Sequence, residues 1–243
     1  MKDTAQRILL KFSGEALAGS AGFGYNPEVL LGVCRQVAQL ASQGVQIAIV
    51  VGGGNLFRGA SSVGEGIHRA TADQMGMLAT MMNGLALRDT LSSLGVPVSI
   101  YSGVEASGVV PAFNAFEARQ ALARGEVVIL PGGTGSPYFT TDTAAALRAA
   151  ELSCDLVLKA TKVDGIYTAD PKKDPTATRY SQLTYREALD KNLAIMDTAA
   201  FVLCQENGIP IRVFDMFSEG ALAAIVRGED VGTLVSQEKK SDQ

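Results

Sequence analysis

Four charged side chains stand beside flexible backbone in a way that suits anion chemistry: Lys11, Arg58, Asp73 and Asp142. Lys11 sits at the end of the apolar run Arg7–Phe12 (RILLKF), and Ser13-Gly14 follows at once. An ammonium at the exit of a buried strand is costly unless it meets an anion or snorkels to water. Arg58 follows three consecutive glycines, Gly52, Gly53 and Gly54, in IAIVVGGGNLFRG (residues 47–59). Such glycines let the backbone turn sharply and bring its N–H groups against a ligand. A helix starting there would add its dipole, and the guanidinium could grip the same anion in a fork. Taken alone, a triple glycine reads first as a tight turn without a ligand. A second cluster, PGGTGSPYFTTDTAAALRAA, repeats the pattern: Gly132, Gly133 and Gly135 give flexibility, and Thr134, Thr140 and Thr141 give hydroxyls. Tyr138 and Phe139 could pack on a base, and Asp142 opens a helix as its cap, as an acid that orients a lysine, or as both.

The elements around these residues decide whether they meet. Arg7–Phe12 reads as a buried strand, SGEALAGSAGFG as a glycine-rich loop, and Asn26-Pro27-Glu28 as a capped helix start. Val29, Leu30, Val33, Val37, Leu40 and Ala41 recur at helical spacing up to Gly44, and the apolar run from Ile47 is the next strand. This is a βαβ unit, whose parallel strands end on one sheet edge, where ligands of open α/β sheets bind. Lys11, Ser13, Gly14, Gly52–Gly54 and Arg58 therefore converge. Arg69–Leu94 is a long helix with Asp73 in its first turns, as a solvated acid or as an acceptor for ribose hydroxyls. Its methionines Met75, Met77, Met81 and Met82 belong to the core or to a subunit interface. Further strands follow at 98–101, 127–130, 156–160, 211–214 and 232–235, with helices at 115–123, 142–150, 196–206 and 220–227. Asp164-Gly165 carries a hairpin signal, and DPKKDPTATRY reads as a long loop, either a ligand flap or a disordered surface excursion. The tail SQEKKSDQ reads as frayed.

Composition narrows the chemistry. The 243 residues are 47% hydrophobic and 19% charged, with a net charge of -4, so a polyanion-binding surface is not indicated and no nucleic acid is expected. A single histidine, His68, excludes a histidine-based triad or multi-histidine metal site. Cys34, Cys154 and Cys204 are far apart and in apolar contexts, which suggests reduced thiols in a cytoplasmic protein. No signal-like or membrane-spanning run is present. One domain is expected, with two lobes at roughly 1–150 and 151–243.

Neither GxxxxGK[ST] nor GxGxxG is present, and the protein-kinase set is missing. Two glycine-rich strand exits on one edge instead suggest two phosphate-bearing ligands facing each other, the geometry of phosphoryl transfer. The segments KFSGEAL, GGGNLFRG, DQMGMLAT, GTGSPYFTTDTAA, KATKVDGIYTADP, DPTAT and PIRVF, in that order, closely resemble the bacterial uridylate kinases of the amino acid kinase superfamily. The resemblance runs from Arg7 to about Val235. It implies an α/β fold, a three-layer αβα sandwich around a mostly parallel sheet, and the reaction of ATP with UMP to ADP and UDP. It assigns catalysis to Lys11, Arg58 and Asp142. ATP falls to Lys11, Phe12, Ser13, Gly14, Gly54, Arg58, Thr161, Tyr167 and Asp170. UMP falls to Gly53, Asp73, Thr134, Gly135, Ser136, Pro137, Tyr138, Phe139, Thr140 and Thr141. Mg²⁺ is implied with ATP, with no metal held by the protein alone. The family further implies a homohexamer, inhibition by UTP and activation by GTP, the last linked to Gly19, Ser20, Ala21, Gly22, Phe23 and Gly24. Ser92 and Ser99 replace familiar basic side chains, which puts the effector response in question. The second phosphate lysine, Lys159 or Lys162, and the role of Asp197 stay open. Two alternatives compete: a kinase of a carboxylate or carbamate, which needs a small amino-acid site in place of TGSPYFTTD, and a catalytically silent nucleotide sensor.

Overall fold

In the computed structural model, residues 6–58, 66–171 and 173–238 are described. Gly59, Lys172 and residues 239–243 of the tail lie outside the described residues. The elements run β1 (Arg7–Phe12), α1 (Gly14–Leu17), α2 (Pro27–Ser42), β2 (Gln46–Val51), α3 (Arg69–Ser93), β3 (Val98–Ile100), α4 (Ala115–Ala123) and β4 (Val127–Ile129). Then come α5 (Thr141–Glu151), β5 (Leu156–Thr161), β6 (Gln182–Thr184), α6 (Tyr185–Asp190), α7 (Thr198–Glu206), β7 (Ile211–Asp215), α8 (Ala221–Val226) and β8 (Thr233–Ser236). The strands form one sheet in the order β3-β4-β2-β1-β5-β7-β8-β6. Pairing is parallel except between β7 and β8.

Strand alternation sorts the core into two layers. Ile8, Leu10 and Phe12 of β1, Ile47, Ile49 and Val51 of β2, and Leu156, Leu158 and Ala160 of β5 face one cluster with α2, α3 and α8. Leu9, Ala48, Val50 and Val157 face the other, with α4, α5 and α7. By the same alternation Lys11 and Lys159 belong to the second face, and the register sets them directly opposite each other. Neighbouring like charges in a sheet repel, so this pairing requires an anion close by.

The helices start and stop on legible signals. Asn26 accepts from the N–H groups of Glu28 and Val29, Pro27 takes the first turn, and Gly44 ends α2 in the left-handed region. Several expectations are corrected. The Ser13–Gly24 stretch is not all loop: Ser13 caps α1, which buries Ala16 and Leu17, and a 3-10 turn covers Gly19–Ala21. The cap of α5 is Thr140, and Asp142 is its second residue. The helix expected from Met196 begins at Thr198, because Asp197 caps it. Asp164-Gly165 turns the chain without a hairpin ladder; Tyr167 and Arg179 form only an isolated bridge. β6 and α6 fall in a stretch read without elements, although Thr184 and Glu187 form a capping box there.

Candidate active site

The site is built where β1, β2 and β5 end. Asp142, in the first turn of α5, reaches over the second face and meets both lysines. Lys11 Nζ lies 2.7 Å from Oδ1 and Lys159 Nζ lies 2.8 Å from Oδ2. The three side chains are only 12%, 17% and 14% exposed, so the carboxylate is the counter-charge that the register demands. Burial pushes the Asp142 carboxyl up, but the two ammonium groups outweigh it and hold it below the usual carboxylate range. Lys159 also donates to the carbonyl of Ile195. Lys162 is exposed, so of the two open candidates Lys159 is the one in the cluster.

The triple glycine is a packed turn. A Cβ on Gly53 would come within 2.9 Å of both Ala79 Cβ and Gly76 O of α3. Asn55 and Asn83, both fully buried, lock the turn to α3: each amide donates to the other, and Asn83 donates to Gly52 O at 2.7 Å. Asn55 also donates to Gly24 O and its own carbonyl accepts from Gly24 N–H, both at 2.9 Å, so the Gly19–Gly24 stretch ends on this turn. Arg58 pairs with Glu15 at 3.0 Å, and both side chains are well exposed. An exposed pair of this kind contributes little to stability.

The second glycine turn is fastened from two sides. Gly132 N–H donates to Thr80 Oγ1 at 2.7 Å, while the buried Arg148 donates to Gly133 O and stacks 4.0 Å from the Phe113 ring centroid. Thr140 and Thr143 both donate to Asp197, which in turn accepts from Ala200 N–H at 2.8 Å. Asp197 thus ties the start of α5 to the start of α7.

Between the two turns lies a cleft of about 530 Å³ lined by Gly53, Phe57, Arg69, Asp73, Gly76, Met77, Thr80, Gly133, Phe139, Thr140 and Thr141, with Ala72 at its wall. It unites Gly53, Asp73, Phe139, Thr140 and Thr141 of the acceptor assignment. Thr134 and Ser136 bond to each other at the loop tip, and Tyr138 is exposed. Thr161, Tyr167 and Asp170 are outside this lining: Thr161 ends β5, and the other two follow in the next loop, where the Tyr167 hydroxyl donates to Asp164 at 2.7 Å. Sequence reasoning missed Asn55, Asn83, Thr80, Arg148, Arg69 and Glu15. Asn55 was the most accessible of these, as the polar residue that ends GGGN.

Chemically, the edge offers two buried cations, an exposed guanidinium, two glycine turns and a cleft with a carboxylate, and no nucleophile–base pair among the described residues. The amino acid kinase family model matches residues 6–215. The chain is 54% identical over 230 residues to the uridylate kinase of Legionella pneumophila (strain Paris), covering 95% of this chain and 93% of that one. The crystal structure of UMP kinase from Bacillus anthracis superposes with a TM-score of 0.94 at 35% identity, covering 97% of this chain and 98% of that chain. UMP kinase from Ureaplasma parvum gives 0.90 at 36% identity, over 95% and 98%. The chain belongs to the amino acid kinase family and, within it, to the uridylate kinases.

Proposed function

We propose that this chain transfers the γ-phosphate of ATP to UMP, giving ADP and UDP in pyrimidine nucleotide (CTP/UTP) biosynthesis. The observation that carries the reading is the Lys11–Asp142–Lys159 cluster at the sheet edge shared with the cleft. An oxygen of the UMP phosphate attacks the γ-phosphorus, the bond from that phosphorus to the bridging oxygen breaks, and ADP leaves with the electron pair. The acceptor oxygen is already anionic, so no general base is required; catalysis is alignment and charge neutralisation. Lys11 and Lys159 neutralise the transferring group, and Asp142 keeps their ammonium groups apart and aimed. Arg58 leaves Glu15 for the phosphates. Gly53 and Asp73 receive the UMP phosphate and ribose, and the Thr134–Thr141 loop reads the uracil. The Lys11–Gly14 exit, Gly54, Thr161, Tyr167 and Asp170 take ATP.

A kinase using ATP implies a divalent metal, here Mg²⁺. The described residues contain no group of three or more acidic, histidine or cysteine side chains able to hold one, and Asp142 is committed to two lysines. On this reading the ion would enter on the nucleotide phosphates.

The same reading extends to regulation and assembly. Met75, Leu78 and Met82 form an exposed apolar face on α3, consistent with subunit contact in a homohexamer. The bonds between Gly24 and Asn55 give the Gly19–Gly24 stretch a direct route to the triple glycine for GTP activation, with UTP competing in the acceptor cleft. On this reading the acceptor lobe is the part of the chain up to roughly residue 150 and the ATP lobe the part after it, and the three unpaired, buried thiols fit a cytoplasmic enzyme. The test is ADP release from Mg-ATP with UMP, CMP, aspartate, glutamate, acetylglutamate or carbamate. Turnover is expected with UMP; turnover on the carboxylates or carbamate but not on UMP overturns the reading.

A further inference from the structure

Asp73 is not a free carboxylate waiting for a ligand. Arg69, one helical turn before it on α3, donates Nε to both of its oxygens, at 3.0 Å to Oδ1 and 2.9 Å to Oδ2. Across the cleft, the backbone N–H of Tyr138 donates to Oδ2 at 2.8 Å. The guanidinium carbon of Arg69 also sits 5.7 Å from the Tyr138 ring centroid, within cation–π range. Three groups from two elements thus close on one another over a cleft that Arg69 and Asp73 both line. The backbone of Tyr138 makes the arrangement more telling. Its φ of 72° lies in the left-handed region, which a bulky non-glycine residue occupies only when its surroundings hold it there. The residue is otherwise 67% exposed, so the bond to Asp73 and the stack on Arg69 are what hold that conformation.

We propose that Arg69 is a positioning residue for the acceptor nucleotide: it fixes the Asp73 carboxylate and, by stacking on Tyr138, holds the Thr134–Thr141 loop over the cleft. A carboxylate has about four acceptor positions. Oδ2 takes both Arg69 and Tyr138, whereas Oδ1 takes only the shared Arg69 bond and keeps capacity for a hydroxyl. The ribose 2′-hydroxyl is the donor this arrangement suits, which makes Arg69 a determinant of ribose over deoxyribose selection. The inference rests on the reading of Asp73 as the ribose contact.

The test compares UMP with 2′-deoxy-UMP under saturating Mg-ATP in the wild type, Arg69→Ala, Arg69→Lys and Tyr138→Leu. The wild type is expected to favour UMP by about tenfold or more in kcat/KM, the scale of one hydrogen bond to a charged group. Arg69→Ala raises the KM for UMP, leaves the KM for ATP within about twofold, and brings the UMP/2′-deoxy-UMP ratio towards one. Arg69→Lys keeps the charge and recovers part of the ratio. Tyr138→Leu weakens the loop contact, and its effect is not additive with that of Arg69→Ala. A wild type that does not discriminate overturns both this inference and the ribose reading of Asp73. A discriminating wild type whose ratio survives in Arg69→Ala overturns this inference alone. Arg69 is half exposed, so loss of folding is not expected; an unchanged melting temperature separates positioning from a structural role.

Discussion

Replacing Asp142 with asparagine removes one negative charge from between two cations 2.7 and 2.8 Å away. The side chain keeps nearly the same volume, so the perturbation is electrostatic. The cluster goes from a net charge of one to two, with Lys11 and Lys159 held opposite each other by the strand register. Breaking a buried ion pair by removing one partner costs about 3–5 kcal/mol, since the remaining charge stays desolvated. Some water still reaches these side chains, which are 12–17% exposed, so the lower end, about 3 kcal/mol, is expected. For a chain of this size that is a fall of about 6–12 °C in melting temperature. Turnover should fall by about a hundredfold or more, since both ammonium groups lose the anchor that aims them. The distinctive outcome concerns the ligand. A polyphosphate supplies the missing negative charge, so Mg-ATP should raise the melting temperature of Asp142→Asn by more than it raises that of the wild type. Differential scanning fluorimetry with and without Mg-ATP, alongside an ADP-release assay, measures all three quantities. A variant with wild-type stability, or with a smaller shift on adding ATP, would refute the view that these lysines face the transferring phosphates.

Three further outcomes follow. The carboxyl of Asp142 titrates lower in the folded than in the unfolded chain, so its contribution is complete above the unfolded value of about 4 and is lost as pH falls through the folded one; urea titrations should show a constant stability gap between wild type and Asp142→Asn from pH 7 to about 4 that closes only below. Gly53→Ala should destabilise by about 1–3 kcal/mol and raise the KM for UMP more than that for ATP, because the new methyl meets Ala79 and the Gly76 carbonyl at 2.9 Å; equal shifts in both constants would remove Gly53 from the acceptor side. Desolvation pushes the thiols of Cys34, Cys154 and Cys204 up to about 12, so a thiol reagent at pH 8 should label none of them in the native protein and all three in denaturant.

What was legible in the sequence was whatever depends on short-range pattern. The strand cores, the long α3, the βαβ unit and the convergence of Lys11, the triple glycine and the Gly132–Asp142 segment all follow from periodicity, punctuation and the right-handed crossover rule. What was not legible depends on registers between distant segments. That Lys159 stands opposite Lys11 is set by the stagger of β5 against β1, across more than a hundred residues, and no local pattern encodes it. The same holds for Asn55 with Asn83 and for Asp197 with Thr140 and Thr143, where turn, capping and helix residues far apart in the chain become junctions only once helices dock. Asp197 shows the point most sharply. Its local duty, capping α7, is the common use of aspartate at that position, and the sequence offers nothing further. In the folded chain the same carboxylate takes two threonine hydroxyls at the start of α5, from its cap Thr140 and from Thr143, which flank Asp142, so the capping of one helix fixes the aim of the other.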